Sequence, residues 1–73
     1  MSLVQVTVME GSFSEQEKRD LIGKVTDAIV SVKGDYVRPF TWVLIEETKN
    51  PDWGIGVTAL TLDAIKSLPL ASQ

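Results

Sequence analysis

The chain has 73 residues, 7 basic against 10 acidic, and a formal net charge of −3. That length leads to the expectation of one domain spanning residues 1–73, and 44% hydrophobic with 23% charged residues is a globular composition rather than a disordered one. An acidic balance without a basic cluster argues against a nucleic-acid partner. The absence of Cys and His excludes disulfides, thiolate nucleophiles and the commonest general base and metal ligand, so no metal site is expected. Proton chemistry is left to carboxylates, lysines, Tyr36, hydroxyls or the chain's own terminal amine, whose ordinary pKa is about 7.7 to 8.

Leu3 to Met9 alternates, with Val4, Val6 and Val8 on one face and Gln5 and Thr7 on the other, which predicts a β-strand. Glu10 and Gly11 close it. Ser14 with Glu17 has capping-box spacing, and Leu21, Ile22, Val25, Ala28, Ile29 and Val32 recur at three- and four-residue steps, which predicts a helix over 14–33 with one apolar stripe. Lys33-Gly34-Asp35 supplies a cation in the last turn and a glycine past the C-cap. Phe40 to Ile45 is aromatic and β-branched, ends at Glu46 and Glu47, and reads as a second strand before the turn signal Asn50-Pro51-Asp52.

Strand, long helix, strand is a right-handed βαβ crossover with parallel strands, an α/β architecture. Two parallel strands do not make a stable sheet, and the second strand's nearly continuous apolar run calls for cover on both faces while one helix covers one. A partner copy is expected on the other face, in keeping with a chain too short to bury a large core and without a staple. Beyond the turn, Gly54 and Gly56 are spaced as a tight hairpin requires, Thr61 is placed to cap a short helix through Leu68, and Ala71-Ser72-Gln73 reads as frayed. The longest uncharged runs, Met1–Met9 and Trp53–Leu62, fall well short of the roughly 20 residues that span a bilayer. No basic signal-peptide start precedes them, so a cytoplasmic protein without membrane contact is expected.

A strand beginning at residue 2 or 3, then Met9-Glu10-Gly11, the helix start Ser14-Glu15-Gln16-Glu17-Lys18, the strand Trp42-Val43-Leu44-Ile45-Glu46-Glu47 and Asp52-Trp53-Gly54-Ile55-Gly56 together resemble the 4-oxalocrotonate tautomerase family over roughly residues 2 to 62. The resemblance implies a βαβ unit with a C-terminal β-hairpin, dimers joined into a homohexamer, and cofactor-independent tautomerisation of a small enol or 2-keto acid in a pocket between subunits. In that family the initiator Met is removed to expose a proline, whose amine moves a proton between enol oxygen and carbon. The matching residue here is Ser2, which becomes the catalytic candidate. Met-Ser-Leu is a common start of recombinant chains, so a native Met-Pro overwritten in cloning is the favoured origin of Ser2, with natural loss of the proline as the alternative.

Family members hold substrate carboxylates with arginines. The matching positions are Ser12, after Glu10-Gly11, and Trp42 on the second strand. Arg38 is the nearest substitute as an anion anchor, weighed against simple solvation in its loop. Trp42 is placed to stack on a conjugated or aromatic substrate and to exclude water from the amine, or else to pack in a core or interface. By the resemblance Trp53 is an apolar pocket wall given to a neighbouring subunit; the plainer reading is a hairpin packed on its own sheet. Glu46 and Glu47, adjacent on a strand, point to opposite faces and read as solubilising residues. Gly54-x-Gly56 lacks the helix and third glycine of a phosphate loop, so no nucleotide cofactor is expected. Tyr36 reads as cover for the helix end. A noncatalytic oligomeric binding module that has lost its base is the alternative function, and a purely structural assembly is a third.

Overall fold

The computed structural model describes residues 1–49 and 52–67. Strand β1 (Ser2–Met9) leads into helix α1 (Glu15–Lys33), a six-residue 3₁₀ helix (Asp35–Phe40) and strand β2 (Thr41–Thr48). Then come β3 (Trp53–Ile55), β4 (Thr58–Leu60) and the short helix α2 (Leu62–Lys66). β1 and β2 are parallel, from Ser2 opposite Thr41 to Met9 opposite Thr48, and β3 and β4 form a separate antiparallel hairpin.

Local chemistry sets these boundaries. The capping box forms in full: Ser14 Oγ accepts from the Glu17 N–H at 3.1 Å, and the Glu17 carboxylate accepts from the Ser14 N–H at 2.8 Å. At the other end the Gly34 N–H donates to the Val30 carbonyl at 2.8 Å with φ of 112°, a backbone that favours glycine. Gly56, with φ of 61°, makes the turn between β3 and β4, where two-residue hairpin turns need positive φ. Thr61 caps α2 by accepting from the Ala64 N–H at 3.2 Å.

Four details differ from the sequence expectation. Phe40 closes the 3₁₀ helix instead of opening β2, and β2 runs on through Glu46 and Glu47 to Thr48. Helix α2 stops at Lys66, short of Leu68. Ile22, Ala28 and Val32 of the expected apolar stripe are exposed, while Leu21, Val25 and Ile29 are half-buried. Two strands about 4.8 Å apart are narrower than the roughly 10 Å helix above them, so the flanks of the stripe find no sheet to cover. Asn50, Pro51, Leu68 and the terminal Ala71-Ser72-Gln73 lie outside the described residues.

The inner face of the sheet, with Val4, Val6, Val8, Val43 and Ile45, packs under α1, yet the core is small. Only Val8, at 7% exposure, and Met9, at 5%, are buried among the described residues. The chain exposes 5560 Å², against about 4,450 Å² for a compact monomer of its 8.0 kDa. Large apolar side chains are exposed on the outer sheet face, with Leu3, Trp42 and Leu44 at 60%, 60% and 45%. Among the described residues no helix is long and apolar enough to cross a membrane.

Candidate active site at the start of the first strand

In-register parallel pairing brings the beginning of β1 beside the beginning of β2. Ser2 lies opposite Thr41 and Leu3 opposite Trp42, so the Leu3 and Trp42 side chains stand together on the outer face while Ser2 belongs to the inner set. Met1, Ser2, Leu3 and Trp42 line an open depression of about 260 Å³. That is slightly below the roughly 300 to 1,000 Å³ of ordinary ligand sites, and three of its four walls are apolar.

Arg38 sits at the same end of the sheet, on the 3₁₀ helix that feeds β2. Its Nη1 donates to Asp27 at 2.8 Å and its Nε to Asp35 at 3.1 Å. The hydrogen bond donated to Asp27, then that to Asp35, raises the guanidinium pKa above its ordinary value. One cation thus faces two carboxylates, and an anion seeking Arg38 meets both as competitors. Thr41 fixes the join by donating its hydroxyl to the Val37 carbonyl at 2.9 Å.

The remaining candidates lie elsewhere. Ser12 follows the far end of β1, about 23 Å along the strand from Ser2 at roughly 3.3 Å per residue. There its hydroxyl donates to the Met9 carbonyl at 2.5 Å and its N–H to the same oxygen at 3.0 Å. Trp53 opens β3, half-buried opposite Leu60 in the hairpin. Within one chain, therefore, Ser2 and Trp42 come together with Arg38 at the same end, and Ser12 and Trp53 do not join them.

Glu46 and Glu47 do point to opposite faces, and both are exposed as expected, each with a partner. On the outer face Glu46 accepts from Gln5 Nε2 at 3.0 Å. On the helix side Glu47 pairs with Lys18 at 3.2 Å, and Lys18 also reaches Glu15 at 3.1 Å. Sequence reasoning missed Leu3 and Met1 as pocket walls and Asp27 and Asp35 as partners of Arg38. The i,i+3 spacing of Asp35 and Arg38 was a usable signal, whereas Asp27 reaches Arg38 only through the packing of α1 on the 3₁₀ helix.

The sequence model of the tautomerase enzyme family matches residues 3–62. The chain belongs to the tautomerase family. Among solved structures it is similar to apo unFused 4-OT, with 30% identity and a TM-score of 0.71 over 88% of this chain and 98% of that one. It is similar also to TomN, a 4-oxalocrotonate tautomerase homologue in the tomaymycin biosynthetic pathway, with 28% identity and a TM-score of 0.72 over 93% of this chain and 98% of that one. No curated protein sequence matches significantly. The tautomerase fold read from the sequence, a parallel βαβ unit with a C-terminal hairpin and short helix, is the fold these neighbours share, and membership supports a tautomerase-type function.

Proposed function

We propose that the protein is a cofactor-independent tautomerase of a small enol or 2-keto acid, working from the amine of residue 2 after loss of Met1. The observation that carries this reading is the depression at the start of β1, lined by Met1, Ser2, Leu3 and Trp42, in a chain matched by the tautomerase family over residues 3–62. In its neutral form the amine accepts the enol O–H proton as the carbonyl forms, and the resulting ammonium gives a proton to the adjacent carbon. One proton leaves oxygen, one arrives at carbon, and the amine returns unchanged. A positioned acid–base group is worth roughly 10²- to 10⁴-fold in rate.

The site is completed by assembly. Ser2, Arg38 and Trp42 sit at one end of the sheet while Ser12 and Trp53 sit away from it, so a pocket using all five takes some of them from a second copy. The outer face beyond the depression, where Leu44 is 45% exposed, supplies the apolar surface for that copy, and a homohexamer built as a trimer of dimers is the assembly we propose. The protein is placed in the cytoplasm in this reading.

Ser2 supports a second reading, a noncatalytic oligomeric binding module. Serine offers a primary amine where the family's proline offers a secondary one, and Arg38 is already paired with Asp27 and Asp35. The test is an ultraviolet assay of enol-to-ketone conversion with 2-hydroxymuconate and phenylenolpyruvate, on this chain and on a Ser2→Pro protein verified by mass to lack Met1. A rate at least tenfold above buffer for the proline protein supports the tautomerase; buffer rates for both proteins on both substrates put the binding module in its place.

A further inference from the structure

Resting on the tautomerase reading of the pocket at Ser2, we infer that its ligand is an aromatic or conjugated apolar enol carrying at most one carboxylate, selected by Trp42, and that a dicarboxylate is disfavoured. Three observations converge. The walls that remain once Met1 is lost are the Leu3 and Trp42 side chains, and the opposition of Leu3 to Trp42 in the register holds them on one face. The guanidinium near this end, Arg38, is engaged at 2.8 Å by Asp27 and at 3.1 Å by Asp35, so that cluster carries one positive charge against two negative ones. Farther along the outer face the charged group is Glu46, held by Gln5, and the whole chain is acidic at −3.

A second carboxylate entering this region is desolvated beside an Arg38 already held by two carboxylates, which costs several-fold to many-fold in affinity. A planar π system gains instead from offset or edge contact with the indole and from burying apolar area against Leu3. Trp42 is thus a specificity-determining residue, acting through its ring face.

Binding can be read without turnover. Ligand-observed NMR or calorimetry on the full chain, with trans-cinnamate, the uncharged cinnamamide and cis,cis-muconate as probes, compares one carboxylate, none and two on similar conjugated frames. The expected result is that cinnamate and cinnamamide bind at least fivefold more tightly than muconate, that Trp42→Ala abolishes this advantage, and that Trp42→Phe keeps it, each variant showing the parent's circular dichroism. Equal or tighter binding of muconate, an unchanged ratio in Trp42→Ala, or no binding of any probe overturns the inference. The tautomerase reading fails separately: cinnamate binding with no ketonisation by the Ser2→Pro protein sinks the enzyme and leaves the ligand class standing, whereas ketonisation that favours 2-hydroxymuconate keeps the enzyme and sinks the ligand class.

Discussion

The inner and outer faces of the β1–β2 sheet are built from the same two strands and have different fates. Inside, Val4, Val6, Val43 and Ile45 are half-covered by α1, and Val8 is buried. Outside, Leu3, Trp42 and Leu44 stand in solvent beside the Gln5–Glu46 hydrogen bond. The inner face is what lets one chain fold; the outer face, with the depression at its Ser2 end, is apolar surface that folding leaves unspent and that a ligand and a second copy can use. Large exposed apolar patches on small proteins mark such sites.

The sharpest way to break this contrast is at Val8. Val8→Ala removes two methyl groups from a buried inner-face side chain and is expected to cost about 1.5 to 3 kcal/mol, read as a lower urea midpoint at fixed protein concentration. A loss below 1 kcal/mol means that the inner face is not the core. On the outer face, Leu44→Asp is expected to leave the helical circular dichroism in place and to shift sedimentation toward the 8.0 kDa single chain. The parent's thermal midpoint should rise with protein concentration and the variant's should not, as mass action requires of an assembly. A parent that already sediments as a single chain removes the partner from the outer face.

Smaller effects sharpen the boundary between the two ends of the sheet. Ser14→Ala deletes one half of the capping box and should cost about 1 kcal/mol by urea denaturation, an effect on α1 that leaves the pocket at Ser2 untouched. Smallest is the alkaline response of Lys18. Hydrogen bonds to Glu15, then to Glu47, raise its pKa above the ordinary 10.5. Its stabilisation is therefore complete below the unfolded pKa and is lost as pH rises through the higher folded value. Lys18→Met should flatten the stability profile above pH 10.5 relative to the parent; identical slopes show that the bridge between α1 and β2 carries no linked proton.

The inner face was legible in the sequence because it is local. Alternation in β1, the Ser14–Glu17 capping pair and the glycine at 34 each fix an element within a few residues, and the crossover rule then forces the parallel pairing. The 3₁₀ helix was not legible: a segment of i→i+3 bonds such as Val37 N–H to the Gly34 carbonyl, at 3.3 Å, has no apolar period to reveal it, and Pro39 reads as a breaker. The site was legible only in part. Ser2 and Trp42 were named as candidates, yet their meeting depends on register, and the neutralising of Arg38 by Asp27 depends on packing between elements. Ser12 and Trp53 were drawn in by resemblance, and the path of one chain keeps them from the Ser2 pocket.

The central claim is that an amine held at the start of β1 performs the proton transfer, and the most direct measurement compares two forms of the Ser2→Pro protein, one with Met1 removed and one retaining it. Retention moves the free amine one residue, about 3.8 Å between Cα atoms, and converts the proline nitrogen to an amide with no basicity while leaving Leu3 and Trp42 in place. With phenylenolpyruvate as substrate, the account predicts that ketonisation by the Met1-retaining form is slower by about 10²-fold or more. Equal rates from the two forms contradict it, since the catalytic base then lies somewhere other than the amino terminus.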